Sequence, residues 1–509
     1  MASNNILLIV TIFLPLFGGV TSLILWGRHR AQRYVGFGTG VVAWLASLSV
    51  LWSNLQSGPQ VYRLGGWSPP YGIVLVGDLL SSLFVVMSTT VLMMGLLYAL
   101  GCNDKVVKNP TFVTLFLGME TGLLGALYTG DLFTMFVFME LMVLSSVSLV
   151  AISDNRLGLE AAVKYLFISS MGTLFLLLGV AAVYATFGTL NFADIGLQLT
   201  AEERPLLARE AATMLTAAFL LKSAVFPFHF WQPDFHTTAP TPVHAVLSSV
   251  VVKVGVYGLI RMTTLLFTAD AELVTIRTVL LVLGTISIFF GSLGAFRTYD
   301  GKRMLAYSTF GQIGFILLGI GWGTPLALAA SLVYAFNHAL IKSALLMLFG
   351  VVASRTQTKS ARLTEVAGVG KSLPFGVGLL YLLGGMSLAG VPPMNGFISK
   401  LALVQSGIDA QMWITLGLAV GAGILTMMYM TRTWQLVFQQ NPNEQTVPLK
   451  TYNDNPLAPA LLILLCVALG LYAGPLADLA TLTADQIIDA PIYIEAVLSP
   501  EIIAASALE

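Results

Sequence analysis

The sequence predicts an all-α polytopic membrane protein with about fourteen transmembrane helices, and composition and run length are the main observations behind this. Of the 509 residues, 56% are hydrophobic and only 10% are charged, whereas a soluble domain carries roughly 25% charged residues. The apolar runs extend over about 20 residues, the length that an α-helix needs to cross the hydrocarbon layer. A transmembrane barrel would instead show short segments of alternating polarity.

Fourteen apolar runs, separated by polar or Gly/Pro-rich breaks, are the predicted helices. They lie near residues 6–26, 34–53, 79–101, 111–129, 131–152, 161–186, 211–231, 240–267, 275–296, 303–322, 325–353, 373–407, 411–438 and 456–474. The first run is too long for a removable signal and lacks a small-residue cleavage pattern, so we expect a retained helix. The longest connections, 54–78 and 187–210, have room for a turn or an amphipathic helix but for no soluble domain.

Lysine and arginine are concentrated in alternate connections, and this sets the expected orientation. The basic connections hold Arg28, Arg30, Arg33, Lys105, Lys108, Arg156, Arg297, Lys302, Arg303, Arg355, Lys359, Arg362, Lys371 and Lys450. With fourteen helices, all of them fall on one face, which the positive-inside rule assigns to the interior. We therefore expect both termini outside a cell membrane, with an acidic tail after residue 474.

The composition also excludes several classes of function. A net charge of zero argues against nucleic-acid binding, which needs a basic surface. Cys102 and Cys466 have neither a zinc nor an iron–sulfur spacing and form no disulfide framework. The five histidines form no haem-spaced pair, and no nucleotide loop is present. We expect no metal, no cofactor and no catalytic residue, so any redox chemistry would belong to another protein.

Two predicted helices contain residues that break helical backbone. The seventh runs into Pro227, and the twelfth contains Pro392 and Pro393 among several glycines. Irregular backbone at membrane depth survives only inside protein or beside water, and two such helices, five apart, suggest an inverted repeat. The expected organisation is residues 1–110 for helices 1–3, 111–267 and 275–438 for the repeats of helices 4–8 and 9–13, and 456–509 for helix 14 and the tail.

Ionisable residues inside the predicted helices are the candidate functional residues. They are Glu120, Glu140, Lys222, Lys253, His338, Lys342 and Lys400. Each mid-membrane charge costs about 2.5–3.5 kcal/mol on insertion scales. A single one could be an ion pair that locks two helices, and Lys164, near a helix end, could extend to the interface. Lysines outnumber acids, however, and an ammonium buried without a carboxylate can release its proton near neutral pH.

His338 and Lys342 share one helix face because they are four residues apart. A neutral histidine can pass a proton in either direction, although a lone histidine on a helix is more often only hydrogen-bonded. A row of such groups joined by water would be a proton relay.

These residues resemble a known family. Residues 220–261 read LLKSAVFPFHFWQPDFHTTAPTPVHAVLSSVVVKVGVYGLIR. They are similar to the signature of the antiporter-like proton-channel subunits of respiratory complex I, membrane-bound hydrogenases and Mrp-type sodium/proton antiporters. Segments FNHALIKSALLMLFG and GVPPMNGFISK, and the helix around Glu140, add to the likeness, which covers helices 4–13.

The resemblance implies a role for each matching residue. Glu140 would pair with Lys222. Lys253, His338 and Lys342 would form the middle of the relay, and Lys400 would serve the outer half-channel. M-type chains of complex I carry Glu where this chain has Lys400, while Mrp D-type and L- or N-type chains carry Lys. The likeness around VKVGVYGLIR is greatest to Mrp D-type and hydrogenase subunits. His244 replaces a small hydroxyl residue common in the family, and it is either an extra proton carrier near the inner entrance or only a polar lining residue.

The resulting hypothesis is a proton-translocating subunit of a multisubunit cation/proton antiporter. Protons would enter near His236 and His244, and other integral membrane subunits and sodium would be partners. One alternative is the proton-pumping membrane arm of a complex I-like or hydrogenase complex, in which the chain would act as a translocase. Others are a solitary secondary transporter of a small solute and a non-conducting scaffold whose charges are locks.

Overall fold

The computed structural model describes residues 5–199, 207–268, 270–498, 500 and 503, and their fold is α-helical apart from one short hairpin. The helices are α1 Ile6–Ile24, α2 His29–Ser57, α3 Leu79–Gly101, α4 Phe112–Tyr128, α5 Leu132–Ala151, α6 Arg156–Phe187, α7 Phe192–Gln198, α8 Ala208–Lys222, α9 Trp231–Thr238 and α10 Thr241–Leu266. They continue as α11 Asp270–Arg297, α12 Gly301–Trp322, α13 Pro325–Ser354, α14 Phe375–Ala389, α15 Asn395–Asp409, α16 Trp413–Gln439, α17 Leu457–Leu471, α18 Gly474–Ile488 and α19 Ala490–Val497.

In the described part of the chain, ten of these helices are long and apolar enough to cross a membrane, and an eleventh span results if α17 and α18, bent by 79°, are joined. Four predicted helices fall below this length: α4 with 17 residues, α17 with 15 residues, and the two interrupted helices, whose halves are too short singly. A polytopic all-α membrane fold is therefore confirmed, whereas the count of fourteen and the inverted repeats stay predictions.

Both long connections contain ordered structure. Strands β1 (Gln60–Arg63) and β2 (Val74–Gly77) form an antiparallel pair in which Gln60 faces Gly77. The expected turn or amphipathic helix in the first connection is thus a hairpin. In the second connection, Asn191 caps α7 through its side chain, which accepts from the amides of Ala193 and Asp194.

The helices divide into a buried centre and an exposed periphery. In the most apolar 18-residue stretch of each helix, α10 is 100% buried, α12 and α13 are 94% buried, and α3 is 83% buried. The corresponding stretches of α6 and α16 are only 33% buried. The central helices α10 and α13 carry Lys253, His338 and Lys342, so these three of the predicted ionisable residues lie in the most buried part of the bundle.

Both predicted interruptions are present. Between α8 and α9 the backbone leaves the helix at Ser223, passes Pro227, and forms one 3₁₀ turn at Phe228–Phe230. Between α14 and α15 it turns at Gly390, whose φ of 81° is left-handed and favours glycine. A Cβ on Gly396 would lie 1.7 Å from the carbonyl oxygen of Ser387, so the two halves meet backbone to backbone.

The segment after α17 is helical where it is described. Helix α18 is bent by 79° from α17 and packs against α3 and α13, and α19 packs against α7 and β1. The side chain of Gln486 accepts a hydrogen bond from the amide of Leu79, 2.8 Å away, at the start of α3. The acidic tail expected from the sequence is therefore part of the packed fold up to residue 498.

Candidate functional site

The first part of the site joins Glu140 of α5 to Lys222, the last residue of α8. Lys222 Nζ lies 3.8 Å from Glu140 Oε1. Thr173 of α6 lies between them, because its hydroxyl donates to Glu140 and accepts from Lys222 Nζ at 3.1 Å. Lys222 also donates to the hydroxyl of Ser169 at 2.9 Å. The pair implied by the resemblance is thus close in space, but a hydroxyl group mediates it.

The two partners differ in exposure. The side chain of Lys222 is 5% exposed and that of Glu140 is 29% exposed. A small change in the position of α5 would therefore leave the ammonium group with neutral hydrogen-bond partners only.

The middle of the site contains three basic side chains and no acid among the described residues. Lys253 of α10 donates to the carbonyl oxygen of Ser249 on its own helix. Lys342 of α13 donates to the carbonyl oxygen of Leu305 at 2.9 Å. His338 is 2% exposed, and neither of its ring nitrogens has a hydrogen-bond partner within the described ranges. Lys253 is close enough to act electrostatically on both His338 and Lys342.

This cluster, Lys253, His338 and Lys342, is unusual because no carboxylate lies within 4 Å of either lysine in the described part of the chain. An ammonium group without a counter-ion is disfavoured in a low-dielectric interior. In addition, a proton bound to one of the three groups repels a proton on its neighbours. The arrangement can therefore hold and release protons, but it is poorly suited to hold several at once.

Lys400 lies beside the second helix break. Its Nζ donates to the carbonyl oxygen of Ala389, the last residue of α14, at 2.6 Å. It also lies 5.9 Å from the ring centroid of Phe315. The ammonium group is thus hydrogen-bonded at the C-terminal end of α14, where the free carbonyl groups carry a partial negative charge.

Amide and hydroxyl groups lie between α13 and the second break. Asn395 donates to Asn337 at 3.0 Å, and Asn337 donates to Ser399 at 2.9 Å. Ser387 donates to Asn395 at 2.5 Å. The two asparagines lie one residue before His338 and five before Lys400. Sequence reasoning passed over them, although both fall in the segments that carry the family likeness.

The most tightly bound ion pair, Asp78–Arg261, was also missed. Both carboxylate oxygens of Asp78 accept from Arg261 at 2.6 Å, and the side chains are 3% and 4% exposed. The guanidinium lies 5.1 Å from the ring centroid of Tyr257 and 5.0 Å from that of Tyr493. The sequence placed Arg261 at a helix end, and the only signal for Asp78 was its position before an apolar run, where it caps α3.

The remaining candidates have simpler surroundings. His244 is fully buried in α10, while the side chain of His236 lies outside the described residues. Glu120 of α4 is fully buried, with no hydrogen bond to either carboxylate oxygen from the described residues. Lys164 is 45% exposed and pairs with Glu160 at 2.8 Å and Asp234 at 2.9 Å. Within the described ranges, no group of three or more metal-binding side chains is close enough to hold an ion.

Fold and site together define a class of protein. It is a polytopic membrane subunit with a row of buried or half-buried basic groups, mostly without a carboxylate partner among the described residues, beside two broken helices. The family model described as NADH:quinone oxidoreductase/Mrp antiporter, TM matches residues 129–426. Since this is more than half of the chain, the protein belongs to that family.

Two individual relatives agree with this family assignment. The chain is 32% identical to the D-type subunit of the Na(+)/H(+) antiporter of Alkalihalophilus pseudofirmus, over 97% of this chain and 99% of the relative. It is 33% identical to the N-type subunit of the NADH-quinone oxidoreductase of Desulforudis audaxviator, over 83% and 85%.

Solved structures have the same fold. A chain of the Mrp complex from Dietzia sp. DQ12-45-1b matches with a TM-score of 0.89 and 25% identity, over 97% of this chain and 99% of that chain. A chain of the membrane-bound sulfane sulfur reductase, an archaeal respiratory membrane complex, matches with a TM-score of 0.87 and 26% identity, over 97% and 100%.

Proposed function

We propose that this protein is the proton-translocating subunit of a multisubunit cation/proton antiporter of the Mrp type, exchanging sodium for protons. The observation that carries the proposal is the row of basic groups formed by the buried Lys222, Lys253, His338 and Lys342 and the half-buried Lys400. Of the four lysines, only Lys222 has a carboxylate of the described residues within 4 Å. A solute carrier would need one pocket with one or two charges, and a scaffold would need paired charges. Neither describes this row.

The mechanism begins with the Glu140–Lys222 pair. When Glu140 moves away, Lys222 loses a favourable Coulomb interaction and its ammonium form is destabilised. Lys222 passes its proton through water to Lys253, and the positive charge there repels a proton held at His338 or Lys342 onward to Lys400. The amides and hydroxyls of Asn337, Asn395 and Ser399 carry polar contacts from α13 to the second break. The chain performs no covalent chemistry of its own in this scheme.

The inverted repeats, residues 111–267 and 275–438, are part of the proposal. Each contains one interrupted helix and one lysine beside the interruption, Lys222 or Lys400. The basic connections support an orientation in the cell membrane with both termini outside. Protons then enter from the interior near His236 and His244 and leave through the half-channel of Lys400, or run inward when coupled to sodium export.

The partners are other integral membrane subunits. Support comes from the relatives, since the structural neighbours belong to an Mrp complex and to an archaeal respiratory membrane complex. The long exposed faces of α6 and α16 are available for lipid or for such subunits.

The test uses the complete complex in inverted membrane vesicles, with sodium-driven proton movement followed by a pH-sensitive dye. Lys222→Ala and Glu140→Ala should each abolish exchange while the complex still assembles. Lys164→Ala, which removes an exposed lysine near the start of the neighbouring helix α6, is the matched control. Full exchange in both variants would overturn the proposal.

A second candidate is the proton-pumping membrane arm of a redox complex. The 33% identity to a chain of an NADH-quinone oxidoreductase favours it. Purification from the native membrane in mild detergent, followed by mass spectrometry, distinguishes the two. Small hydrophobic subunits without redox proteins support the antiporter, and iron–sulfur or hydrogenase subunits support the redox complex.

A further inference from the structure

A polar cavity of about 300 Å³ opens on the face that carries the basic connections. The loop after α3, the start of α10, the start of α12 and the loop after α13 enclose it. Its charged lining consists of Asp104, Lys302, Lys359 and Asp454. Lys359 is paired with Asp104 at 2.9 Å. The cavity is therefore large enough for several water molecules and offers them both donors and acceptors.

Asp454 is the buried acid of this cavity. The residue is 5% exposed and lies between α16 and α17. It accepts hydrogen bonds from the phenol of Tyr98 at 3.0 Å, the thiol of Cys102 at 3.4 Å and the amide of Asn103 at 2.9 Å. No lysine or arginine nitrogen of the described residues lies within 4 Å of it. A carboxylate held by neutral donors and reached by water can take up a proton without breaking an ion pair.

The thiol contact fits this role. Burial, together with the negative charge of Asp454, raises the pKa of Cys102, so the thiol stays protonated and remains a donor. The groups that face Asp454 are thus Tyr98 and Cys102 from α3 and its end, Lys302 from α12, and the Asp104–Lys359 pair.

Tyr98 lies between the cavity and the interior of the helix bundle. A Cβ built on Gly350 would lie 2.9 Å from the Tyr98 hydroxyl and 2.7 Å from Thr241 Oγ1, so both hydroxyls flank this glycine. Thr241 is the first residue of α10, and His244 and Ser248 follow one and two turns later on the same side of the helix. Ser248 is hydrogen-bonded to Thr309 at 2.6 Å. The next residue, Ser249, holds Lys253 through its carbonyl.

We propose that this cavity is the proton intake on the inner face and that Asp454 is its loading residue. A proton from water binds a carboxylate oxygen of Asp454. Asp454 passes it to the phenol oxygen of Tyr98, whose own proton moves to Thr241, and the proton of Thr241 moves through water to the ring of His244. Each group gives up one proton as it receives one. The inference rests on the proposed function and specifies where protons enter.

The test compares variants of the whole complex in inverted vesicles loaded with sodium, with the medium between pH 7 and pH 9. Sodium leaving the lumen then draws protons from the medium through the inner face, which is the direction of the proposed intake. Asp454→Asn keeps the size and most hydrogen bonds of the side chain but cannot carry a proton. We expect about a tenfold lower proton flux at pH 7 and a larger loss at pH 9, because fewer protons in water make loading slower. Asp454→Glu should restore most of the flux, and Tyr98→Phe should lower it several-fold.

Glu365→Gln is the matched control, since Glu365 lies on the same face, outside the cavity, and pairs with Arg362 at 3.3 Å. Wild-type flux in Asp454→Asn at all pH values overturns the intake, and so does a loss that is independent of pH and not restored by glutamate. Lys222→Ala is run in parallel. If it is inactive while Asp454→Asn is fully active, only the intake fails. If both are fully active, the relay itself is wrong.

Discussion

Two ion pairs of this protein each join one acidic and one basic side chain, but one pair is tight and buried and the other is loose and partly exposed. Asp78 and Arg261 meet through two hydrogen bonds of 2.6 Å, are almost fully buried, and lie between the rings of Tyr257 and Tyr493. Glu140 and Lys222 stand 3.8 Å apart, with the acid 29% exposed. The first pair cannot open without leaving two buried charges alone. The second can open because neutral groups already contact the lysine.

We propose that the first pair is a structural lock between helices and that the second pair is a switch in proton transfer. A bidentate arginine–carboxylate contact fixes two planar groups in one geometry, which suits the junction of α3, α10 and α19. Lysine is a compact charge that accepts many geometries and can lose its proton when buried. On this proposal, the number of alternative contacts marks a transport residue, and charge and membrane depth alone do not.

The largest effect is expected from breaking the tight pair. Arg261→Leu leaves the carboxylate of Asp78 buried and uncompensated, which should destabilise the protein by about 3–5 kcal/mol. We expect little assembled complex and a clearly lower unfolding temperature in detergent. The double variant Asp78→Asn/Arg261→Gln, which removes both charges, should recover part of the yield. An unchanged unfolding temperature in Arg261→Leu would show that the pair is no lock.

Glu140→Gln should produce the reverse pattern. The amide keeps the size of the side chain and a contact with Thr173, so the unfolding temperature should stay the same. Without the charge, Lys222 cannot be held and released, and proton flux should fall by about 10² or more, as for other positioned proton-transfer groups. A destabilised complex with normal flux per assembled molecule would contradict the switch.

Thr173→Val tests the hydroxyl between Glu140 and Lys222. Loss of one hydrogen bond of about 1 kcal/mol corresponds to roughly a fivefold change in the balance between the closed and open pair. We expect flux to change several-fold, while Thr173→Ser, which keeps the hydroxyl, should behave like the wild type. If valine and serine have equal flux, the hydroxyl has no part in the pair.

The smallest effect is expected at Lys164. Its contacts with Glu160 and Asp234 lie at the exposed surface, where water and salt screen them. Lys164→Ala should change neither unfolding temperature nor flux by a measurable amount. A marked loss of flux there would extend the functional region to the surface of α6.

Sequence reasoning reached the membrane fold and the two helix breaks because both follow from local composition. Glu140 and Lys222 are close in space, as the resemblance implied, but Thr173 was missed because hydroxyl residues are common in membrane helices. Asp78 and Arg261 are 183 residues apart, and nothing local shows that they meet.

The connections were the hardest part to predict. The hairpin depends on contacts between residues 60–63 and 74–77, which a hydropathy pattern does not show. Asp454 lay in a polar loop and had no periodicity to single it out. Its importance follows only from the enclosure formed around it by α3, α10 and α13.

The contact between the Tyr493 ring and the Arg261 guanidinium has a consequence for biosynthesis. About 230 residues separate the two positions, and translation adds about 5–20 residues each second. The guanidinium is thus synthesised roughly 10–50 s before its second ring. During that interval Asp78, which is synthesised earlier, is already present to hold it. Asp78 is therefore synthesised before Arg261, whose charge it neutralises, and Tyr493 is synthesised last and completes the contacts of the guanidinium.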